Sequence, residues 1–235
     1  MEGSEVILGY EEGDDLVTQA EEMRSLPDKL HRTFFKSMSL LPARGQGLLL
    51  RHYFEWFHRT PDPWRHAVDP YEARKYATTL AHVEGDTFDR VLDVGCSEGT
   101  FTLLAAESYP QADVLGVDVS ERAVHRAASR SKARPNGRTR FAAMDFLNQD
   151  PGGRFDLVVC AETLYYVGRD DRLRLASERL RSFLAPGGTL VLVHPWPEAR
   201  RLHRFVDGDP LLVRRDEQVE HDGGRPYAVS SYRLR

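Results

Sequence analysis

Apolar and polar positions along this chain switch between two periods, and each switch marks an element. Residues 91–94 (VLDV) are a short, nearly continuous apolar run that enters a glycine-bearing turn, Gly95-Cys96-Ser97-Glu98-Gly99, and then a helical pattern opening at Thr100. Residues 112–119 (ADVLGVDV) predict a second strand, and 120–130 a helix behind a Ser120 cap. Residues 139–143 predict a short third strand and 155–160 (FDLVVC) a buried fourth. A helix over 170–184, with Leu173, Leu175, Leu180 and Leu184 among its apolar positions, should stop at Pro186-Gly187-Gly188, and a fifth strand over 189–193 should end at His194. The tail changes character: 211–220 and 227–234 read as two strands joined in a hairpin. Upstream, Asp69-Pro70 starts a helix running to about Val83, 46–57 is helical, and 14–26 is a weaker candidate. Strands that alternate with helices predict an α/β fold, a mostly parallel seven-stranded sheet flanked by helices, with the C-terminal hairpin as its antiparallel edge.

The N-terminal stretch holds Phe34, Phe35, Tyr53, Phe54, Trp56 and Phe57, more aromatic mass than a disordered tail carries. We expect residues 1–60 to form a helical cap or lid, and 61–235 the main domain. At 235 residues the chain suits one well-buried domain with an elaboration. A net charge of −4 argues against nucleic-acid or membrane-surface binding, and of the 32 basic residues only Lys29, Lys36, Lys75 and Lys132 are lysines. Cys96 and Cys160 form neither a metal motif nor a disulfide framework, and no metal is expected. Without a long apolar run or a basic-then-apolar start, the expectation is a soluble, cytoplasmic monomer or homodimer.

The turn at 95–99 carries the first chemical signal. A pyrophosphate-binding turn needs GxGxxG, whereas here the glycines stand as GxxxG with Glu98 between them, which would repel phosphates. A ligand bearing both an ammonium and a carboxylate fits better, with Asp93 for the ammonium and the turn amides for the carboxylate; S-adenosylmethionine has both groups. Gly95 and Gly99 would let backbone approach the ligand. Asp118 ends the second strand one strand-helix-strand step after Asp93, where it can accept ribose hydroxyls or simply cap the next helix. Asp145, beside Met144 and Phe146, suits either an adenine edge or a loop cap. Arg74 and Lys75 can reach a carboxylate, and Tyr76 can stack or donate, unless all three are ordinary helix positions.

Taken together, VLDVGCSEGT, VLGVDVS, AMDF, FDLVVCAETLYYV and LAPGGTLVLV resemble, in order and interval, the class I S-adenosylmethionine-dependent methyltransferases over about residues 70–194. DPW at 62–64, PYEARKY, VGCSEGTFT and AETLYY resemble the nodulation protein S-like members more narrowly. The resemblance implies a Rossmann-like class I methyltransferase fold and S-adenosyl-L-methionine as cofactor. It implies that Asp93, Gly95 and Gly99 surround the methionine part, with Arg74 and Tyr76 closing that end from the preceding helix. Asp118 would meet the ribose and Asp145 with Phe146 the adenine, and Trp64, Cys96, Ser97, Val119 and Ala161 complete the expected cofactor contacts. Ser97 replaces the middle glycine of the common motif, and the first sixty residues match nothing in the group.

That group methylates an amino-sugar nitrogen, so the implied function is methyl transfer to nitrogen or oxygen of a small, sugar-like acceptor. An O-methyltransferase of an aromatic or polyketide acceptor is the alternative within enzymes, and a non-catalytic S-adenosylmethionine-binding protein the alternative outside them. Glu162, Tyr165 and Tyr166 follow the fourth strand, where open α/β sheets place ligands, and are the candidate acceptor contacts. Glu162 and His194, at the ends of adjacent strands, are the candidate bases.

Overall fold

A computed structural model describes residues 33–83, 87–133, 137–221 and 225–235, so the helix expected over 14–26 lies outside the described residues. Its elements are α1 (Ala43–Phe57), α2 (Pro70–Ala81), β1 (Arg90–Val94), α3 (Thr100–Ser108), β2 (Asp113–Asp118), α4 (Glu121–Lys132) and β3 (Thr139–Ala143), then β4 (Phe155–Ala161), α5 (Asp170–Phe183), β5 (Leu184–Pro195), α6 (Ala199–Asp207), β6 (Leu212–Glu220) and β7 (Tyr227–Leu234). The strands form one sheet in the order β3-β2-β1-β4-β5-β7-β6. The first five are mutually parallel, and β7 runs antiparallel to both β5 and β6. Strand order reverses between β1 and β4, which opens a crevice at their carboxyl ends.

Each face of the sheet has its own core. Leu92, Val158, Leu190 and Leu192 point to one side against α5 and α6, while Val91, Leu157, Val159 and Val191 point to the other against Phe88 and Phe101. This is the two-face burial that makes the strands read as unbroken apolar runs. In α2, the Asp69 carboxylate accepts the Tyr71 amide at 2.9 Å with Pro70 in the first turn, a preorganised start. Its phase turns Tyr71, Glu72, Lys75, Tyr76 and Thr79 inward.

Two elements differ from expectation. The Pro186-Gly187-Gly188 stretch does not precede β5 but lies within it: pairing with β4 begins at Leu184–Phe155, is interrupted, and resumes at Thr189–Leu157. Gly188 is required there, because a Cβ would stand 2.9 Å from the carbonyls of Phe155 and Ala185. Helix α6 was not expected, since its nine residues are half charged or polar; Ala199, Leu202, His203 and Val206 nevertheless form a buried face.

The segment before α2 is pinned over the carboxyl end of the sheet. Buried Gln46 of α1 donates from Nε2 to the Val167 carbonyl at 2.8 Å and accepts from Arg172 Nε at 2.9 Å. Further along α1, Glu55 Oε1 accepts the Ser120 hydroxyl and the Arg122 amide. Phe35, Phe54, Trp64 and Tyr166 pack between these anchors. Among the described residues no helix is long and apolar enough to cross a membrane, and no group of three or more His, Cys, Asp or Glu could hold a metal ion.

Candidate active site

A cavity of about 600 Å³ lies over the carboxyl ends of β1, β2 and β4, within the roughly 300–1,000 Å³ range of small-molecule sites. One end is lined by Val117, Asp118, Val119, Met144, Asp145 and Phe146, and roofed by Leu50 and Phe54 of α1. The other end holds Tyr71, Glu72, Lys75, Glu162, Tyr165, Trp196, Glu198 and Arg225. Gly95, Ser97, Ala161, Thr163, Tyr166, Trp64 and His66 also contribute to its wall.

The turn after β1 is built differently from the expectation. Gly95 and Gly99 adopt φ of 81° and 77°, and Ser97 between them takes φ of 49°, a left-handed state that costs a non-glycine residue about 1 kcal/mol or more. A Cβ on Gly95 would overlap the Thr163 hydroxyl, and one on Gly99 would meet the Phe141 ring and Ala127. Both glycines therefore make room for protein side chains, and Gly99 does not reach the cavity. The amide donors are also committed: Gly95 and Cys96 donate to the Val117 carbonyl at 2.8 and 2.9 Å, and Ser97 donates to Asp118 Oδ2 at 2.9 Å.

Asp93 does not line the cavity. It is buried beneath the turn, accepting the Thr102 hydroxyl at 2.6 Å, and burial pushes its carboxyl up to about 7. Buried Cys96 also lies off the wall, its thiol raised by burial and the nearby carboxylates of Asp118 and Asp93. Asp118 does face the cavity. Its Oδ1 accepts the Ser120 amide at 2.9 Å and its Oδ2 that of Ser97, which leaves each oxygen a further lone pair. Asp145 accepts from the Leu147 amide at 3.0 Å and from Asn148 Nδ2 at 2.6 Å, and a Cβ at Gly47 would overlap its Oδ2, so α1 passes Asp145 at its closest point through a glycine.

Glu98, whose charge disfavoured a phosphate ligand, turns away from the cavity altogether. Its Oε1 accepts from Arg126 at 2.8 Å and the Asp62 amide at 3.0 Å, with His58 Nδ1 at 3.4 Å. The glycine turn is thereby tied to α4 and to the DPW segment. Trp64 of that segment stacks on Phe57, and His66 stacks on Trp64.

On α2 the helical phase corrects one expectation. Arg74 is exposed on the outer face, and the buried cation is Lys75, 3% exposed. Lys75 Nζ lies 3.0 Å from Glu72 and 2.9 Å from Glu162. Burial would lower the Lys75 pKa, but the two carboxylates outweigh it and hold it above its ordinary value. Tyr76 packs on Phe101 and His66 off the wall, and burial raises its hydroxyl pKa.

Glu162 follows β4 with φ of 51°, and its amide donates to the Val193 carbonyl at 2.8 Å. Tyr165 and Tyr166 pack together with ring centres 4.3 Å apart, and burial, with Glu162 alongside, raises both hydroxyls. His194 is 0% exposed and absent from the cavity wall. Its Nε2 accepts the Leu164 and Thr163 amides at 3.1 and 3.4 Å, and its Nδ1 meets His203 Nε2 at 2.9 Å. With both nitrogens engaged inside the core, it has no route to an acceptor proton and is not the base.

His66, like Trp196, Glu198 and Arg225, lines the cavity without having been singled out in the sequence. Neither ring nitrogen of His66 has a hydrogen-bond partner among the described residues. Burial lowers its pKa, with Lys75 and His58 acting the same way and Glu72 and Asp62 opposing. A neutral imidazole therefore faces the ligand space at neutral pH.

The donor set suits S-adenosylmethionine: an acid with spare lone pairs beside apolar Val119 and Phe146 at one end, and a cation between two carboxylates at the other. A family model described as "Methyltransferase domain" matches residues 91–188. Nodulation protein S of Rhizobium tropici is 31% identical over 173 residues, covering 71% of this chain and 70% of that protein. Trans-aconitate 2-methyltransferase of Streptomyces avermitilis is 38% identical over 166 residues, covering 67% of this chain and 60% of that protein. Among solved structures, N-methyltransferase NodS from Bradyrhizobium japonicum WM9 in complex with S-adenosyl-L-homocysteine matches with a TM-score of 0.67 at 25% identity, over 78% of this chain and 97% of that one. Magnesium protoporphyrin IX methyltransferase from Synechocystis PCC 6803 with bound S-adenosylmethionine shares the fold, with a TM-score of 0.64 at 18% identity over 83% of this chain and 98% of that one. The chain belongs to the class I S-adenosyl-L-methionine-dependent methyltransferases. Within that class it stands close to the nodulation protein S-like enzymes, and S-adenosyl-L-methionine is its cofactor.

Proposed function

We propose that the enzyme transfers the methyl group to a nitrogen or oxygen of a small, hydroxyl-rich, sugar-like acceptor bound at the Glu72–Lys75–Glu162 end of the cavity. The observation that carries this is the make-up of that end: carboxylates at Glu72, Glu162 and Glu198, with the aromatic faces of Tyr71, Tyr165 and Trp196. Carboxylates accept from hydroxyl and ammonium groups, and aromatic faces cover the apolar side of a sugar ring. The likeness to nodulation protein S supports the same choice.

Asp118 takes the ribose hydroxyls, while Val119 and Phe146 flank the adenine and Asp145 accepts from its edge. Bound S-adenosylmethionine supplies an electrophilic methyl, so the protein has to align the acceptor, exclude water and remove one proton. Glu162, held by Lys75, anchors the acceptor, and His66 receives the proton at an unpaired ring nitrogen. Residues 33–60 act as the cap, with Leu50 and Phe54 closing the cofactor side against water.

Transfer of labelled methyl to a panel of amino sugars, glycosides, phenols and tricarboxylates tests the proposal. Labelling confined to sugars supports it, and labelling confined to phenols or carboxylic acids overturns it. A carboxylic-acid acceptor is the second reading, favoured by Arg225 at the rim and by the likeness to trans-aconitate 2-methyltransferase.

A further inference from the structure

Behind the acceptor end, a line of buried polar groups crosses four elements and ends on backbone. It runs from the Thr163 and Leu164 amides to His194 of β5, then to His203 of α6, Ser230 of β7 and Glu217 of β6. His194, His203 and Ser230 are each at most 1% exposed, and Glu217 meets solvent. None of the three buried groups lines the cavity.

The direction of every hydrogen bond follows from the first. Backbone amides only donate, so His194 Nε2 carries no proton. A neutral ring then keeps its proton on Nδ1 and donates to His203 Nε2 at 2.9 Å. The reverse assignment would leave His194 with no ring proton, an imidazolate. His203 in turn carries its proton on Nδ1 and donates to Ser230 Oγ at 3.2 Å, whose hydroxyl donates to Glu217 Oε2 at 3.0 Å. A second proton on His194 would set Nε2–H against two amide N–H groups, so the line holds only with neutral imidazoles.

We infer that His194 and His203 are positioning residues for the acceptor-facing turn: His203 fixes the His194 tautomer, and that tautomer holds the Thr163 and Leu164 amides. The turn needs such a hold. Glu162 sits immediately before it in a left-handed conformation, and Tyr165 lies within it. Few other bonds fix these two amides, since the Thr163 hydroxyl donates to the Ala161 and Val94 carbonyls rather than securing its own N–H. The surroundings favour neutrality. Burial opposes a charge on His194, His203 and Lys75 add to that opposition, and Tyr165 packs edge-on against its ring. Around His203, burial and Arg214 oppose a charge and Asp207 favours one.

The inference rests on the acceptor role proposed for Glu162 and Tyr165, and its test separates the two. In the full-length protein, His203→Leu removes the acceptor for the His194 proton, while His203→Gln supplies a carbonyl toward His194 and an N–H toward Ser230. Nitrogen-15 NMR of labelled histidine should show His194 protonated at Nδ1 in the unmodified protein, and hydrogen exchange should show the Thr163 and Leu164 amides protected. His203→Leu should speed exchange at those two amides at least tenfold and lower kcat/KM for the acceptor at least tenfold, with cofactor Kd unchanged. His203→Gln should restore both to within about threefold. A His194 proton on Nε2, or exchange unaltered in His203→Leu, overturns the inference whatever the acceptor proves to be. If His203→Leu does not fold, Ser230→Ala weakens the same line by a smaller change: faster exchange confined to Thr163 and Leu164 supports the inference, and unaltered exchange overturns it.

Discussion

Lys75 and Glu162 meet at 2.9 Å across the cavity wall, one from the middle of α2 and the other from the turn after β4. With Glu72 on the other side of the ammonium, the cluster holds two carboxylates and one cation in a largely buried place. Removing the cation leaves two acids facing each other, whereas removing one acid leaves an intact pair. Lys75→Met should therefore cost about 3 kcal/mol of stability and abolish turnover, read by denaturant unfolding and methyl transfer. Glu162→Gln should leave the unfolding midpoint nearly unchanged and cost about 1.5–3 kcal/mol in acceptor kcat/KM, roughly ten- to hundredfold, with cofactor affinity retained. Equal destabilisation by the two changes would remove the basis for assigning Glu162 to the acceptor.

His66 gives a prediction in the pH profile. A neutral imidazole that takes the acceptor's proton works only above its own pKa, so kcat should fall on the acid side. His66→Asn should lower kcat about a hundredfold and flatten that limb, while calorimetry shows unchanged binding of the cofactor. A variant that keeps the limb and most of its rate would mean that His66 only packs against Trp64 and Tyr76.

Sequence pattern was most informative where one physical demand dominates. Continuous apolar runs located β1, β4 and β5 because both faces of those strands are covered, and Asp118 was legible as a strand-end acid, although the same carboxylate also accepts the Ser120 amide at the start of α4. Pattern failed where two demands compete. Arg74 and Lys75 are adjacent and equally basic, and only the inward phase shared by Tyr71 and Tyr76 separates them. Asp118 is the last residue of β2 but Asp93 is the penultimate residue of β1, and Asp93 is held under the turn by the Thr102 hydroxyl. His194 looked like a base because its strand-end position was legible, whereas its partners were not: the Thr163 and Leu164 amides come from the turn after β4, and His203 from α6, a helix too short and too charged to announce itself. Glu98 was legible as a charge but not as a tie, since Asp62 and Arg126 lie far from it in the chain.

That tie yields a third prediction. Glu98 is buried and holds Arg126, the Asp62 amide and His58 together, so it joins the glycine turn to the segment carrying Trp64 and His66. Glu98→Ala leaves Arg126 without its acid and should cost about 3 kcal/mol. Cofactor affinity should weaken as well, because Ser97 and Trp64 both line the cavity. Thermal unfolding and calorimetry with S-adenosylmethionine check the two effects. A stability loss with cofactor affinity intact would show that the tie does not shape the cofactor end.

Asp93 and His203 should give the fold opposing responses to pH. The Asp93 carboxyl is raised from 3.8 to about 7, so between those values the folded chain keeps a proton that the unfolded chain releases. Its contribution to stability is complete below about 4 and is lost as pH rises to 7. His203 is lowered from 6.5 to about 4, so the unfolded chain takes up a proton that the folded chain refuses. Its contribution is complete above 6.5 and is lost as pH falls to 4, and His194, lowered by burial, His203 and Lys75, acts in the same direction. Across pH 4 to 6.5 Asp93 opposes the two histidines and offsets part of the rise in stability that they give. Asp93→Asn removes one side of this balance while its amide oxygen can still accept from Thr102. Denaturant unfolding of that variant should show stability rising steadily from pH 4 to 6.5, with a gain over the unmodified protein at pH 7.5. If the variant and the unmodified protein gave parallel curves, Asp93 would be ionised throughout that range, and the line of neutral histidines alone would have to account for the remaining slope.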